Sequence, residues 1–90
     1  MGKEIVLFKS EERKDLASVV AFLHQLADKL AENQVIFRQG AEEIVVNIPN
    51  SVVLELKVEE EDKKGKIKQT LEVEIEWLEG DESGGAVTLG

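Results

Sequence analysis

The stretch that most constrains the fold is LEVEIEW, residues 71–77, in which apolar and acidic residues alternate one by one. Because successive side chains of a β-strand point to opposite faces of the sheet, this alternation predicts a strand with one apolar and one acidic face. Such a strand is typical of an antiparallel sheet with one covered face and one solvated face. The apolar face consists of Leu71, Val73, Ile75 and Trp77.

Turn residues predict how the preceding strands pair. The dipeptide Gly40-Ala41 fits a two-residue type II′ loop and places Phe37 opposite Ile44. A second turn, over residues 62–65, leads into the last strand and sets Leu56 opposite Leu71 in the predicted register.

The N-terminal part predicts a strand followed by a helix. The segment from Lys3 to Lys9 contains enough β-branched and aromatic residues to predict a short strand. Ser10 is suited to cap a helix that runs to about Glu32, and Asn33 is a plausible exit residue. Apolar residues recur at three- and four-residue steps and define one wide helix face: Leu16, Val19, Val20, Leu23, Leu26, Ala27 and Leu30.

These elements predict an α+β fold of order β-α-β-β-β-β. One amphipathic helix is expected to pack on one face of a mostly antiparallel, meandering sheet. Residues 1–79 are predicted to form a single domain, and residues 80–90 an acidic, glycine-rich tail without fixed structure.

The sequence resembles the amphi-Trp domain family. The resemblance rests on the helix LASVVAFLHQLADKLAEN, the hairpin VIFRQG to EIVVNIP, the strand VVLELKVEE and the last strand LEVEIEW with its tryptophan. It covers roughly residues 1–79 and implies the fold described above. It supplies no catalytic residues and no cofactor.

The net charge of −8 disfavours nucleic acid and anionic membrane as partners, because an acidic surface repels phosphate. The chain has no cysteine, and it has neither a signal peptide nor an apolar run of about 20 residues that could span a membrane. We therefore expect a cytoplasmic protein without disulfides.

No arrangement in the sequence indicates an enzyme. The single histidine, His24, has only Asp28 at contact spacing, and a zinc site would need further ligands. The glutamates of the acidic strand face are expected to be solvated, so nothing would raise the pKa of a catalytic acid. We predict no catalytic residue, no metal site and no cofactor.

An apolar cluster on the outer sheet face gives the first functional hypothesis. Ile36, Val45 and Val53 fall opposite the helix-covered face, and Ile36 and Val45 are directly paired in the predicted register. An apolar cluster on an uncovered face is what a homodimer would bury. The sequence therefore predicts a non-enzymatic interaction module that self-associates through the outer sheet face or a sheet edge.

The alternative hypothesis is a small-molecule-binding domain. A pocket between helix and sheet would be rimmed by Phe22, Phe37 and Trp77. Trp77 is otherwise explained as a lid over the core, in contact with the helix.

Overall fold

The computed structural model describes residues 2–79 and confirms an α+β fold. One helix precedes four strands, and the strands pair antiparallel, β1 with β2 and β3 with β4. The chain divides into two units between Ile48 and Pro49. Their grouping into one domain stays a prediction, and the predicted tail, residues 80–90, lies outside the described residues. The elements are α1 Leu16–Ala31, β1 Gln34–Gln39, β2 Glu42–Asn47, β3 Val53–Lys63 and β4 Lys66–Glu76.

The helix begins at a later cap than the sequence predicts. Asp15, not Ser10, is the N-cap, and its Oδ1 accepts a hydrogen bond of 2.9 Å from the backbone N–H of Ser18. Residues 11–14 carry only charged side chains, so a turn placed there would have no apolar face to stabilise it. The predicted exit is confirmed, since Asn33 has a φ of 63° directly after the C-cap Glu32.

The β1–β2 hairpin has the predicted register. Gly40 has a φ of +59°, which the type II′ loop requires, and Phe37 pairs with Ile44. Val35 is the one buried hydrophobic residue among the described residues, and α1 packs against β1. This small core also contains half-buried side chains, namely Phe8, Leu26, Leu30, Phe37, Ile44, Val46 and Ile48.

The predicted first strand is absent from the described residues. Residues 2–15 have no regular secondary structure, and Ile5, Val6 and Leu7 are exposed. A segment of residues with high β-propensity forms a strand only where another strand offers its hydrogen-bonding edge. No strand among the described residues pairs with this segment. The segment is instead anchored by Phe8, whose ring stacks on Phe37 with centroids 5.3 Å apart.

The β3–β4 hairpin forms with a register two residues away from the predicted one. Leu56 pairs with Val73, not with Leu71, and Lys63 pairs with Lys66. The loop is Lys64-Gly65, and both residues have positive φ, 52° and 84°, which is the signature of a type I′ turn. A slip of two residues leaves each side chain on its predicted face, so the apolar and acidic faces are confirmed.

The predicted continuous meander is also wrong for the described residues. β1–β2 and β3–β4 are separate two-stranded sheets, and residues 48–52 between them have no strand structure. Pro49 lacks a backbone N–H, so it cannot donate to a ladder there.

The cap at Asp15 generates a prediction with a defined pH dependence. Hydrogen bonds from the side chain and then the backbone of Ser18 hold the pKa of Asp15 below its ordinary 3.8. Because the folded-state pKa is depressed, its contribution is present above pH 3.8 and is lost as the pH falls through the lower folded value. Asp15→Asn keeps an acceptor but cannot ionise. We expect its thermal midpoint to fall below that of the wild type at pH 7 and to converge with it in acid.

Circular dichroism melts at pH 7 and pH 2.5 test this prediction. Asp15→Ala, which removes the acceptor, should be less stable than Asp15→Asn at both pH values. Equal melts of the wild type and Asp15→Asn at pH 7 would contradict a role for the ionised cap.

The anchoring of the N-terminal segment generates a second prediction. Phe8→Ala removes the stacked ring and should lower the free energy of unfolding by about 2 kcal/mol, less than the loss expected for a fully buried Phe. Phe8→Leu retains apolar area and should lose less. Urea denaturation measures both, and Ile5→Ala, at a side chain that is 78% exposed, is the matched control.

Candidate functional site

The largest cluster of apolar side chains in the second unit lies on one face of the β3–β4 hairpin. Strand periodicity places six side chains there, in three directly opposed pairs. We call these the hairpin apolar face: Leu54 with Ile75, Leu56 with Val73, and Val58 with Leu71.

The hairpin apolar face is open to solvent. Leu56 is 65% exposed, Val58 is 75% exposed and Leu71 is 71% exposed, and only Ile75 of the six is half-buried. Leu71 and Val73, which the sequence places on the covered face, are therefore exposed in this unit, and their packing against the helix stays a prediction. Covering such side chains stabilises by on the order of 1–2 kcal/mol each. Covering this face would therefore be the largest hydrophobic stabilisation still open to this unit.

The helix also keeps part of its apolar face open. Its C-terminal half contributes the half-buried Leu26 and Leu30 to the core of the first unit. Its N-terminal half continues the same face at helical spacing but stays exposed. The exposed residues are Leu16, Val19, Val20 and Leu23.

The structure pairs two of the three residues of the predicted outer-face cluster, Ile36 and Val45. Ile36 and Val45 are direct partners in the β1–β2 ladder, and they are 40% and 48% exposed. Polar pairs flank them on the same face: Gln34 bonds to Asn47 at 2.9 Å, and Arg38 Nε lies 2.6 Å from Glu43 Oε2. Val53 lies in the second unit, opposite Glu76, and is 61% exposed.

The predicted pocket residues have separate local roles. Phe37 is half-buried and stacks on Phe8, whereas Phe22 on the helix is 50% exposed. Trp77 follows β4 in the second unit and is half-buried. The small-molecule hypothesis stays a prediction.

The polar face of the β3–β4 hairpin concentrates like charges at its open end. Carboxylate oxygens of Glu55, Glu74 and Glu76 all lie within 4.8 Å of one another. Repulsion by Glu55, and then by Glu76, raises the pKa of Glu74 above its ordinary 4.5. The predicted register, with Leu56 opposite Leu71, would put Glu55 opposite Glu72 and therefore missed this triad. All three are exposed, so no desolvated acid results.

Further along the same face a lysine balances its acidic neighbours. Lys57 Nζ lies 3.5 Å from Glu59 Oε2 and 3.9 Å from Glu72 Oε2. The charges of Glu59 and then Glu72 raise the pKa of Lys57 above its ordinary 10.5. This group is an exposed ion-pair cluster, which contributes little to stability.

Comparison with known proteins supports the resemblance noted in the sequence. A family model described as the Amphi-Trp domain matches residues 1–90, which includes the region after residue 79 that the resemblance left out. Neither the curated proteins nor the solved structures give a match. No helix among residues 2–79 is long and apolar enough to cross a membrane.

The charge triad generates a prediction for the monomeric chain. We expect the Glu74 carboxyl to titrate above pH 4.5, because ionising it opposes the charge of Glu55. Since the folded-state pKa is raised, its contribution to stability is full below pH 4.5 and is lost as the pH rises through the raised value. NMR of ¹³C-labelled glutamate measures this pKa.

Glu55→Gln should move the Glu74 pKa back toward 4.5, because Glu55 is the main cause of the shift. Glu42→Gln, in the other hairpin, makes the same change in net charge and should leave the Glu74 pKa unaltered. A monomer in which Glu74 titrates at or below 4.5 would contradict the repulsion.

Proposed function

The chain belongs to the Amphi-Trp domain family, and we propose that it works as a small non-enzymatic interaction module that associates with a second copy of itself. The observation that carries the proposal is the open hairpin apolar face. A two-stranded hairpin is marginally stable in water unless its apolar face packs on something. A second copy would stabilise the hairpin either by packing on this face or by adding its own strands to the sheet.

A non-enzymatic role is supported by the surroundings of the ionisable groups. The described groups with shifted pKa values are a helix cap, an ion-paired lysine and a carboxylate among carboxylates. Each shift has a local structural cause at an exposed position, whereas catalytic acids and bases are usually tuned by partial burial. The cytoplasmic location stays a prediction from the sequence.

Two surfaces compete for the contact. The outer pair Ile36–Val45 is a small apolar spot between polar pairs, whereas the hairpin apolar face joins three apolar pairs without interruption. Val53 lies on the polar face of β3, opposite Glu76, and takes no part in the hairpin apolar face. We favour the hairpin apolar face because more of its apolar surface is exposed.

Light scattering after gel filtration tests self-association. We expect the wild type to have twice the mass of one 10.0 kDa chain and to keep it at high salt, since salt does not screen apolar contacts. Leu56→Lys should halve the mass if the second copy packs on the hairpin apolar face, because it places a charge there. Val45→Lys should do so if the outer pair carries the contact.

Ser51→Lys adds the same charge at an exposed position between the hairpins and is the matched control. Circular dichroism establishes that each variant is folded. A wild type with the mass of one chain at all concentrations would overturn the proposal.

A further inference from the structure

β4 is an edge strand with an unusual charge sequence. Its only sheet neighbour among the described residues is β3, so its other edge offers a ladder to another strand. Read from both ends towards Leu71, KIKQTLEVEIE has a lysine at the mirror position of two of its three glutamates and Thr70 at that of the third, Glu72. Lys66 mirrors Glu76, and Lys68 mirrors Glu74.

This pattern complements itself when the strand is inverted. We propose that two copies pair antiparallel, β4 to β4, about a two-fold axis at Leu71, and so form one four-stranded sheet. The inference rests on the proposed self-association and specifies its geometry. Each residue on the polar face of β4 then meets a complementary one across the two-fold axis: Lys66 with Glu76, Lys68 with Glu74, and Thr70 with Glu72.

The apolar side is compatible with the same alignment. Leu71 lies opposite Leu71 of the second copy, and Ile67 lies opposite Ile75. A two-fold axis perpendicular to the sheet turns both apolar faces the same way. The two hairpin apolar faces thereby lie side by side on one face of a four-stranded sheet, with Gln69 of each copy opposite Val73 of the other.

The charges inside one copy favour this arrangement. The ladder sets Lys63 against Lys66 at the turn and Glu55 against Glu74 at the open end, so each end carries a like-charge pair. None of the ion pairs within residues 2–79 uses Lys66, Lys68, Glu74 or Glu76. An inverted copy brings the basic end beside the acidic end and compensates both.

Backbone geometry agrees with the alignment. A two-residue hairpin loop is closed by a hydrogen-bonded pair, here Lys63 and Lys66, so alternate residues from Lys66 direct their backbone groups towards β3. The intervening residues, from Ile67 to Ile75, direct theirs to the open edge. Centring on Leu71 pairs all of these intervening residues.

Other pairings satisfy fewer of these conditions. The edge of β3 inverted about Val58 sets Glu55 against Glu61 and Leu54 against Asp62. A slip of two residues on β4 either opposes Glu72 with Glu72 or drops Ile75 and Glu76 from the ladder. The centred β4 pairing alone combines full length with complementary charge.

The test uses two complementary variants of the full chain. Lys66→Glu/Lys68→Glu makes β4 acidic, and Glu74→Lys/Glu76→Lys makes it basic. Each variant alone would form only like-charge pairs, so we expect its mass in light scattering to fall to that of one chain. A one-to-one mixture restores four opposite-charge pairs and should have the mass of two chains.

Matched controls carry the same charge changes on the other strand. Lys57→Glu/Lys63→Glu and Glu59→Lys/Glu61→Lys alter the polar face of β3, which lies away from the proposed contact. They should keep the mass of the wild type. Circular dichroism checks that all variants are folded.

A cysteine provides a readout that does not depend on the charge variants. The chain has no cysteine, so Leu71→Cys introduces a single thiol at the two-fold axis. Opposed residues of a hydrogen-bonded pair lie about 5.5 Å apart between Cα atoms, within disulfide range. Mild oxidation should link two copies of Leu71→Cys. Val58→Cys, the β3 partner of Leu71 on the same face, should stay unlinked.

The outcomes separate this inference from the proposed function. A monomeric wild type would overturn both. A dimeric wild type whose charge variants each remain dimeric, or whose Leu71→Cys variant fails to cross-link, would overturn the β4 pairing and leave self-association standing. Monomeric charge variants that do not combine when mixed would also overturn the pairing.

Discussion

The strict alternation of the β3–β4 hairpin is the constraint on which the other features depend. A period of two puts every apolar side chain of Leu54 to Val58 on one face, together with those of Leu71 to Ile75. Two strands alone cannot cover a face that they share. The unit therefore has regular backbone hydrogen bonding and an exposed apolar surface at the same time, and association with a partner is the proposed way to stabilise it.

The first unit shows how the same chain solves this problem locally. The helix covers one face of the β1–β2 hairpin, and Val35 becomes buried between them. The exit of the helix is fixed to the end of β2, because Ile48 N–H donates to Asn33 O at 2.9 Å and Asn33 Nδ2 donates to Ile48 O at 2.8 Å. Only the opposite face of that hairpin, with Ile36 and Val45, remains partly apolar and open.

Sequence patterns predicted which residues share a face of a hairpin better than they predicted which residues pair across its two strands. The β1–β2 register followed from Gly40, because a glycine at the first loop position admits one common turn type. In β3–β4, loops at Lys63-Lys64 and at Lys64-Gly65 give identical faces, since a period of two does not register a slip of two. The preference of Gly65 for positive φ at the second loop position decides between them.

Two features were harder to predict: what packs on a sheet face, and whether a segment finds a partner strand. Both depend on residues that are distant in the sequence. The run Ile5 to Phe8 has the composition of a strand, but a strand needs a partner edge, and composition does not supply one. The pair Ile36–Val45 was predicted because cross-strand register is local. The exposure of Leu56 and Leu71 was not, because alternation shows which residues share a face and leaves open what packs on it.

The two faces of β4 set different requirements for a partner. Apolar residues alone would accept any apolar surface in any orientation, which gives association without a defined geometry. Charges confer orientation, since like charges directly opposed are unfavourable and opposite charges fix the register. In β4 the lysines stand before Leu71 and the glutamates after it. In the proposed pairing these charges would repel a parallel copy in register and favour an antiparallel one, so that the acidic run after Leu71 would specify the orientation of the partner.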